Sequence, residues 1–163
     1  YIMNEYDESL QDIGLIDSAE IFQGLLNIPA TINSTLCGGI VDMKPNYAKT
    51  TLMTSNEMVF DDEKLVHGGF IFGAAEWAAH VAINTPHSVT IGAKVNLYAP
   101  AKVGDMVEFE AHAYYEESKK REVKVVGTVK EIKIFEGTYQ IVVLEEHIFR
   151  LQQRKMTSDE SQQ

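Results

Sequence analysis

The sequence predicts an α+β fold in which one long apolar helix is enclosed by a curved antiparallel sheet. Two observations predict it. Residues Phe70 to Ile83 read FIFGAAEWAAHVAI, apolar on every face when wound as a helix. Four later segments alternate apolar and polar residues with the period of half-buried strands, and short turns join them. A helix that is hydrophobic all round belongs inside, and strands with one apolar face each can wrap it.

In chain order, residues 1–35 form an N-terminal extension. Residues 1–16 are acidic and mixed and open abruptly at Tyr1, as in a trimmed or processed chain; no fold is assigned to them. Asp17-Ser18-Ala19-Glu20 has capping-box spacing, and Ile21, Phe22, Leu25 and Leu26 follow with helical periodicity, predicting a short helix that ends near Pro29. Cys37-Gly38-Gly39 and Pro45-Asn46 read as turns, and Lys49 to Phe60, rich in Thr, Val and Met, reads as a strand. The central helix is expected from about Gly69 to Asn84, starting at a glycine pair and stopping before Thr85-Pro86. The strand segments place Val89, Ile91, Ala93, Val95 and Leu97 on one face; then Val107, Phe109, Ala111 and Ala113; then Val123, Val125, Gly127 and Val129; and last Tyr139, Ile141, Val143 and Phe149. Glu136-Gly137 is expected as the hairpin turn between the last two segments. The domain proper covers residues 36–151, and the polar tail 152–163 is expected to be disordered.

Composition narrows the function classes. The 163 residues suit one domain with a real core, and the single cysteine, Cys37, cannot form an internal disulfide, which points to a cytoplasmic protein. No signal peptide or spanning segment is visible, so neither secretion nor membrane insertion is expected. A formal net charge of -10 repels phosphate backbones and argues against nucleic-acid binding. No metal site is expected, because His87, His112 and His147 fall on separate segments. Lys119-Lys120-Arg121 reads as a solvated hairpin tip, while Lys94 and Lys102, near strand ends, are candidate phosphate contacts.

The most informative residue is Glu76, an acid in the middle of the most apolar stretch. Carboxylates are rarely buried without a partner or a purpose. Burial favours the protonated form, which suits proton transfer near neutral pH. The bland alternative is a satisfied pair with His80, one helical turn away. Nine residues before Glu76 stands His67-Gly68-Gly69. Amides at a helix start are preformed donors for a developing oxyanion, although the glycines also suit a tight turn. Phe70, Phe72 and Trp77 are candidates either for the core or for an acyl tunnel.

Two stretches, VHGGFIFGAAEWAA and VNLYAPAKVGDMVEFEA, resemble the hotdog-fold acyl-CoA thioesterase superfamily over about residues 36 to 151. The resemblance implies a homodimer or a tetramer built from two such dimers, and an acyl-CoA or related thioester as ligand, with coenzyme A entering only as part of it and no other cofactor. It implies Glu76 as nucleophile or general base, with the backbone of His67, Gly68 and Gly69 polarising the thioester carbonyl. Asp61, Phe70, Phe72, Trp77, His80 and Lys94 are then the candidate substrate contacts. Related branches carry Asn or Gln six residues before the His, where this chain has Asp61 and so lacks an amide donor. The chain is also similar to the acyl-CoA-binding effector domain of a bacterial repressor of lipid-synthesis genes, a branch without the acid, but no helix-turn-helix pattern precedes the domain here. Dehydration of hydroxyacyl thioesters is a third activity open to the fold.

His67 and Glu76 are separated by roughly 13 Å along one helix at 1.5 Å per residue, too far to serve one carbonyl. Two antiparallel helices across a two-fold axis would bring Glu76 of one chain to the helix start of the other.

Overall fold

The computed structural model describes residues 25–114 and 118–162. A short helix α1 (Ser34–Cys37) leads into the hairpin β1 (Gly39–Lys44) and β2 (Tyr47–Met53). A 3-10 turn (Asn56–Met58) and a loop precede the long helix α2 (Gly68–Ile83), and β3 (Ser88–Leu97), β4 (Met106–Tyr114), β5 (Lys120–Val129), β6 (Ile132–Val143) and α3 (Ile148–Glu160) follow. The six strands form one sheet in the order β1-β2-β4-β5-β6-β3, every neighbouring pair antiparallel. Helix α2 carries the chain from β2 to the far edge strand β3 and packs against β2, β4 and β5 on the way. No helix among the described residues is long and apolar enough to cross a membrane.

The helix ends follow from local chemistry. At its start His67 adopts extended dihedrals, and its Nδ1 accepts the Gly69 N–H at 2.8 Å, a side-chain cap on an orphan donor. At its end Asn84 takes the left-handed conformation, φ 54°, tolerated by Asn. Its side chain also ties down the preceding strap of chain: Oδ1 accepts from Asn27 N at 2.8 Å and Ile28 N at 3.2 Å, and Nδ2 donates to Leu25 O at 2.7 Å. The loop before α2 is locked to the Pro100–Asp105 turn: Val66 N donates to Ala101 O and Val103 N to Lys64 O. Buried Thr54 donates its hydroxyl to Asp105 O at 2.6 Å, while Asp105 Oδ2 accepts Lys102 N. The Gly-Asp signature of the second sequence motif therefore holds the helix start in place.

Several elements depart from the sequence expectation. The capping box and most of the helix it predicts lie outside the described residues, and Leu25 to Pro29 are not helical. The strand expected to reach Phe60 stops at Met53, where the chain turns through the 3-10 segment. The turn between β5 and β6 is Lys130-Glu131, both left-handed at φ 47° and 68°, not Glu136-Gly137. Gly137 lies within β6, where a Cβ would approach Val95 Cγ1 to 2.9 Å and Phe135 Cζ to 3.0 Å. In β3 a bulge between Thr90 and Gly92 reverses the alternation. Thr90 and Ser88 face inward on one side of it, Ala93, Val95 and Leu97 on the other, while Val89 moves to the outer face.

Phe149 belongs to α3, not to a strand, and is 66% exposed. Residues expected as a disordered tail form most of α3, which starts at a His147 cap and carries an Arg154–Glu146 ion pair of 2.9 Å. The 152–163 segment lacks an apolar stripe, and no α3 residue is buried, so its helicity is local in origin.

Candidate active site

Helix α2 is enclosed on most of its circumference but not all. Ile71, Ala74, Ala75, Trp77, Ala78, Ala79, Val81, Ala82 and Ile83 are buried. The remaining row, Gly69, Phe72, Gly73, Glu76 and His80, recurs at helical spacing and stays partly open. Beside it runs β3, paired only with β6 among the described residues, with Ile91 57%, Leu97 52% and Tyr98 55% exposed. A Cβ on Gly68 would lie 3.4 Å from Leu97 Cδ2, so the end of β3 adjoins the helix start. The expectation of a helix enclosed on all sides is corrected to a helix with one open seam.

Glu76 sits in that seam with its side chain 37% exposed, so a single protomer does not give the full burial expected. Its Oε1 stands 3.6 Å from His80 Nε2, beyond a hydrogen bond. The short contacts of His80 go elsewhere: Nδ1 to Ser88 Oγ at 2.7 Å and Nε2 to Thr90 Oγ1 at 2.9 Å. The imidazole thus fastens α2 to β3, and the carboxylate keeps its lone pairs available. Two further groups share the site. Burial, then the negative charge of Glu76, pushes the Tyr139 phenol up, and the same two causes in the same order raise the Cys37 thiol. Tyr139 is fully buried and donates its hydroxyl to Phe72 O at 2.9 Å, one turn before Glu76.

At the helix start, the His67 cap occupies the Gly69 N–H and His67 O accepts the Phe70 N–H at 3.1 Å. The Gly68 N–H has no acceptor among the described residues. Of the two glycine amides named as carbonyl-polarising donors, Gly68 is the free one. Asp61 turns toward its own loop, Oδ1 accepting from Glu63 N at 3.0 Å and Leu65 N at 3.1 Å. Phe70 is half-buried edge-on to His67, with ring centroids 6.0 Å apart, and the Phe72 ring lies against Tyr139 at 5.4 Å. Trp77 is buried on the side of α2 away from β3, facing the strap.

Lys94 pairs with Thr138 in register with the outward-facing residues of β3, so it lies on the sheet face opposite α2 and does not join the seam. His87 and His147, expected on separate strands, meet with rings 6.2 Å apart outside this site. No group of three or more His, Cys, Asp or Glu among the described residues is placed to hold a metal ion. Sequence reasoning missed Tyr139, Cys37, Ser88 and Thr90. Tyr139 did carry a signal as an inward strand residue, but nothing local marked the carbonyl it would meet.

Comparison with known proteins agrees with this architecture. Residues 63–133 match the family model of the thioesterase superfamily. The solved structure of a sigma28-regulated virulence protein from Campylobacter jejuni is 49% identical and superposes with a TM-score of 0.79, covering 82% of this chain and 95% of that one. A methylthioribose-1-phosphate isomerase of Aquifex aeolicus is 40% identical over 119 residues, 73% of this chain but 26% of that protein. A transcription factor, FapR, of Caldanaerobacter subterraneus is 27% identical over 124 residues. The chain spans about a quarter of the first of these curated relatives and 62% of the second. With the long helix, the six-stranded antiparallel sheet wrapped on it and residues 63–133 matching the thioesterase superfamily, the chain has the hotdog fold.

Proposed function

We propose that the protein is a homodimeric acyl-CoA thioesterase that works in the cytoplasm, with Glu76 as general base or nucleophile. The observation that carries this is the state of Glu76: a carboxylate without a hydrogen bond, held in the open seam of a helix whose first amide is also free. The two groups are too far apart on one helix, so the reacting carbonyl lies between Gly68 N–H of one protomer and Glu76 of the other. The amide, aided by the helix dipole, stabilises the oxyanion. Glu76 either takes a proton from the water attacking the carbonyl carbon, or attacks it directly to give a mixed anhydride that water then opens. In both routes the C–S bond breaks and the thiolate of coenzyme A leaves and is protonated.

The test is free-thiol release from acyl-CoAs of several chain lengths, with binding measured in parallel. Glu76→Gln should lower the rate about 10²- to 10⁴-fold, the scale of a lost acid–base group, and leave binding within a few-fold. Equal release by both proteins removes Glu76 from the mechanism. A single turnover in isotopically labelled water tests the nucleophile route: label in the Glu76 carboxylate requires a mixed anhydride that water opens at the Glu76 carbonyl, and general-base hydrolysis leaves none there.

A second reading has its own support. The His67 cap on Gly69 occupies one of the expected carbonyl-polarising donors, Asp61 is committed to its loop, and one relative is a transcription factor. A non-catalytic acyl-CoA sensor would bind the panel tightly and release no thiol.

A further inference from the structure

Helix α2 opens with a side chain standing where a substrate oxygen would have to stand. His67 Nδ1 accepts the Gly69 N–H at 2.8 Å, and that bond fixes the tautomer: Nδ1 is bare and Nε2 carries the proton. An oxyanion bonded to the same amide would sit about 2.7–3.1 Å from its nitrogen, in the volume the ring now fills. Gly69 is what admits the ring, since a Cβ there would fall 2.8 Å from both Nδ1 and Cε1 of His67. The neighbouring Gly68 N–H carries no such cover.

The backbone at this point is fixed and the ring is not. His67 N donates to Met58 O at 2.8 Å and His67 O accepts from Phe70 N at 3.1 Å, which sets the residue from both sides. The imidazole itself is exposed, with the Phe60 and Phe70 rings beside it at centroid distances of 5.9 and 6.0 Å. Its one hydrogen bond among the described residues is the cap on Gly69. An exposed side chain held this way changes rotamer in picoseconds to nanoseconds, far faster than a catalytic cycle. Acceptor strength decides what displaces it. A neutral thioester oxygen is a weaker acceptor than an imidazole nitrogen, whereas hydrogen bonds to an oxyanion are charge-assisted and roughly twice as strong as neutral ones.

We propose that the His67 imidazole is a displaceable plug on the second oxyanion donor: it leaves the Gly69 N–H as negative charge builds on the carbonyl oxygen. The transition state is then held by two amides and the bound substrate by one. The proposal rests on the thioesterase reading of the site and adds to it a positioning role for the His67 side chain, exerted through Gly69. An interaction made only in the transition state raises turnover, while one made equally in the bound substrate raises affinity alone. The plug thus reserves the Gly69 amide for the reacting state, at the expense of one hydrogen bond that must first be broken.

The experiment measures kcat and KM for acyl-CoA hydrolysis in the native chain, His67→Gly and His67→Asn. Glycine is well accepted at a helix N-cap, so His67→Gly removes the ring and keeps the helix start. Its kcat/KM should rise about two- to tenfold, the worth of one helix cap, and its KM should fall because the neutral carbonyl now reaches Gly69 as well. His67→Asn, whose side-chain oxygen caps the same N–H, should restore the native values. A merely structural cap predicts lower stability and no gain in rate. A fall in kcat/KM in His67→Gly means that the imidazole itself assists the reaction, and an unchanged value means that the Gly69 N–H takes no part; each overturns the plug and leaves Glu76-dependent thiol release, and so the thioesterase reading, intact. If His67→Gly does not fold, the Gly69 amide resonance of the native protein decides. It should stay in place with a ketone analogue of acyl-CoA and move with a trifluoromethyl-ketone analogue, which takes up water or a carboxylate to become an oxyanion; the same response to both overturns the plug. Absence of thiol release from every acyl-CoA overturns the thioesterase reading, and the proposal with it.

Discussion

Glu76 and His80 stand one helical turn apart, the spacing at which a carboxylate and an imidazole usually pair, yet the two hydroxyls of β3 hold the imidazole instead. The carboxylate is left to act on its surroundings by charge. Cys37 reports that charge, since burial first and Glu76 second keep its thiol protonated to higher pH than an ordinary cysteine. Only the thiolate alkylates, so Cys37 should react slowly with iodoacetamide near neutral pH. Replacing Glu76 with Gln removes the second cause and should speed the reaction severalfold, measured by mass spectrometry. No change in rate would mean that the two groups do not sense each other. Glu76 was legible in the sequence because an acid among alanines and aromatics has few bland explanations. Tyr139 was not, because a strand tyrosine facing inward looks like any core residue until the helix carbonyl above it is known.

Secondary-structure elements were read well where periodicity alone decides and poorly where one residue changes the count. Helix α2 begins and ends within a residue of its expected limits, because the glycine pair and Thr85-Pro86 mark both ends. The strand pattern of β4 also holds, with Val107, Phe109 and Ala111 all fully buried. In β3 the bulge at Ile91 inserts one residue, which swaps the faces and brings Ser88 and Thr90, not Val89, to His80. No composition signal marks such an insertion. Gly137 misled for a different reason: glycine signals both turns and crowding, and here crowding governs. A methyl at this position would press on Val95 and Phe135 at 2.9 and 3.0 Å. Gly137→Ala should therefore destabilise the fold by about 1–3 kcal/mol, the usual cost of overpacking, seen as a lower midpoint of urea unfolding with unchanged slope. An unchanged midpoint would show that β3 can move away from β6, and with it the His80 anchor.

At the scale of the whole molecule, the open seam of α2 and the free edge of β3 form one continuous surface. A ten-residue edge strand that pairs on one side only among the described residues, beside exposed Ile91, Leu97 and Tyr98, invites another chain, and a second copy would supply both a pairing strand and the missing helix face. Gly73 lies at the centre of the seam, where a Cβ would meet nothing within 4 Å of its own chain. Within one protomer, a larger residue there is sterically free and removes a glycine that costs a helix interior about 0.5–1 kcal/mol. Across a two-fold interface the same side chain would meet its own copy or the opposing helix. Gly73→Arg should thus fold with its helix content intact, sediment near the 18.3 kDa of one chain rather than twice that mass, and release no thiol from acyl-CoA. Monomer formation with full activity would separate catalysis from assembly and place the whole site in one protomer. A dimer that persists in Gly73→Arg would move the interface off this helix, and the pairing of Gly68 with the partner's acid would fall with it.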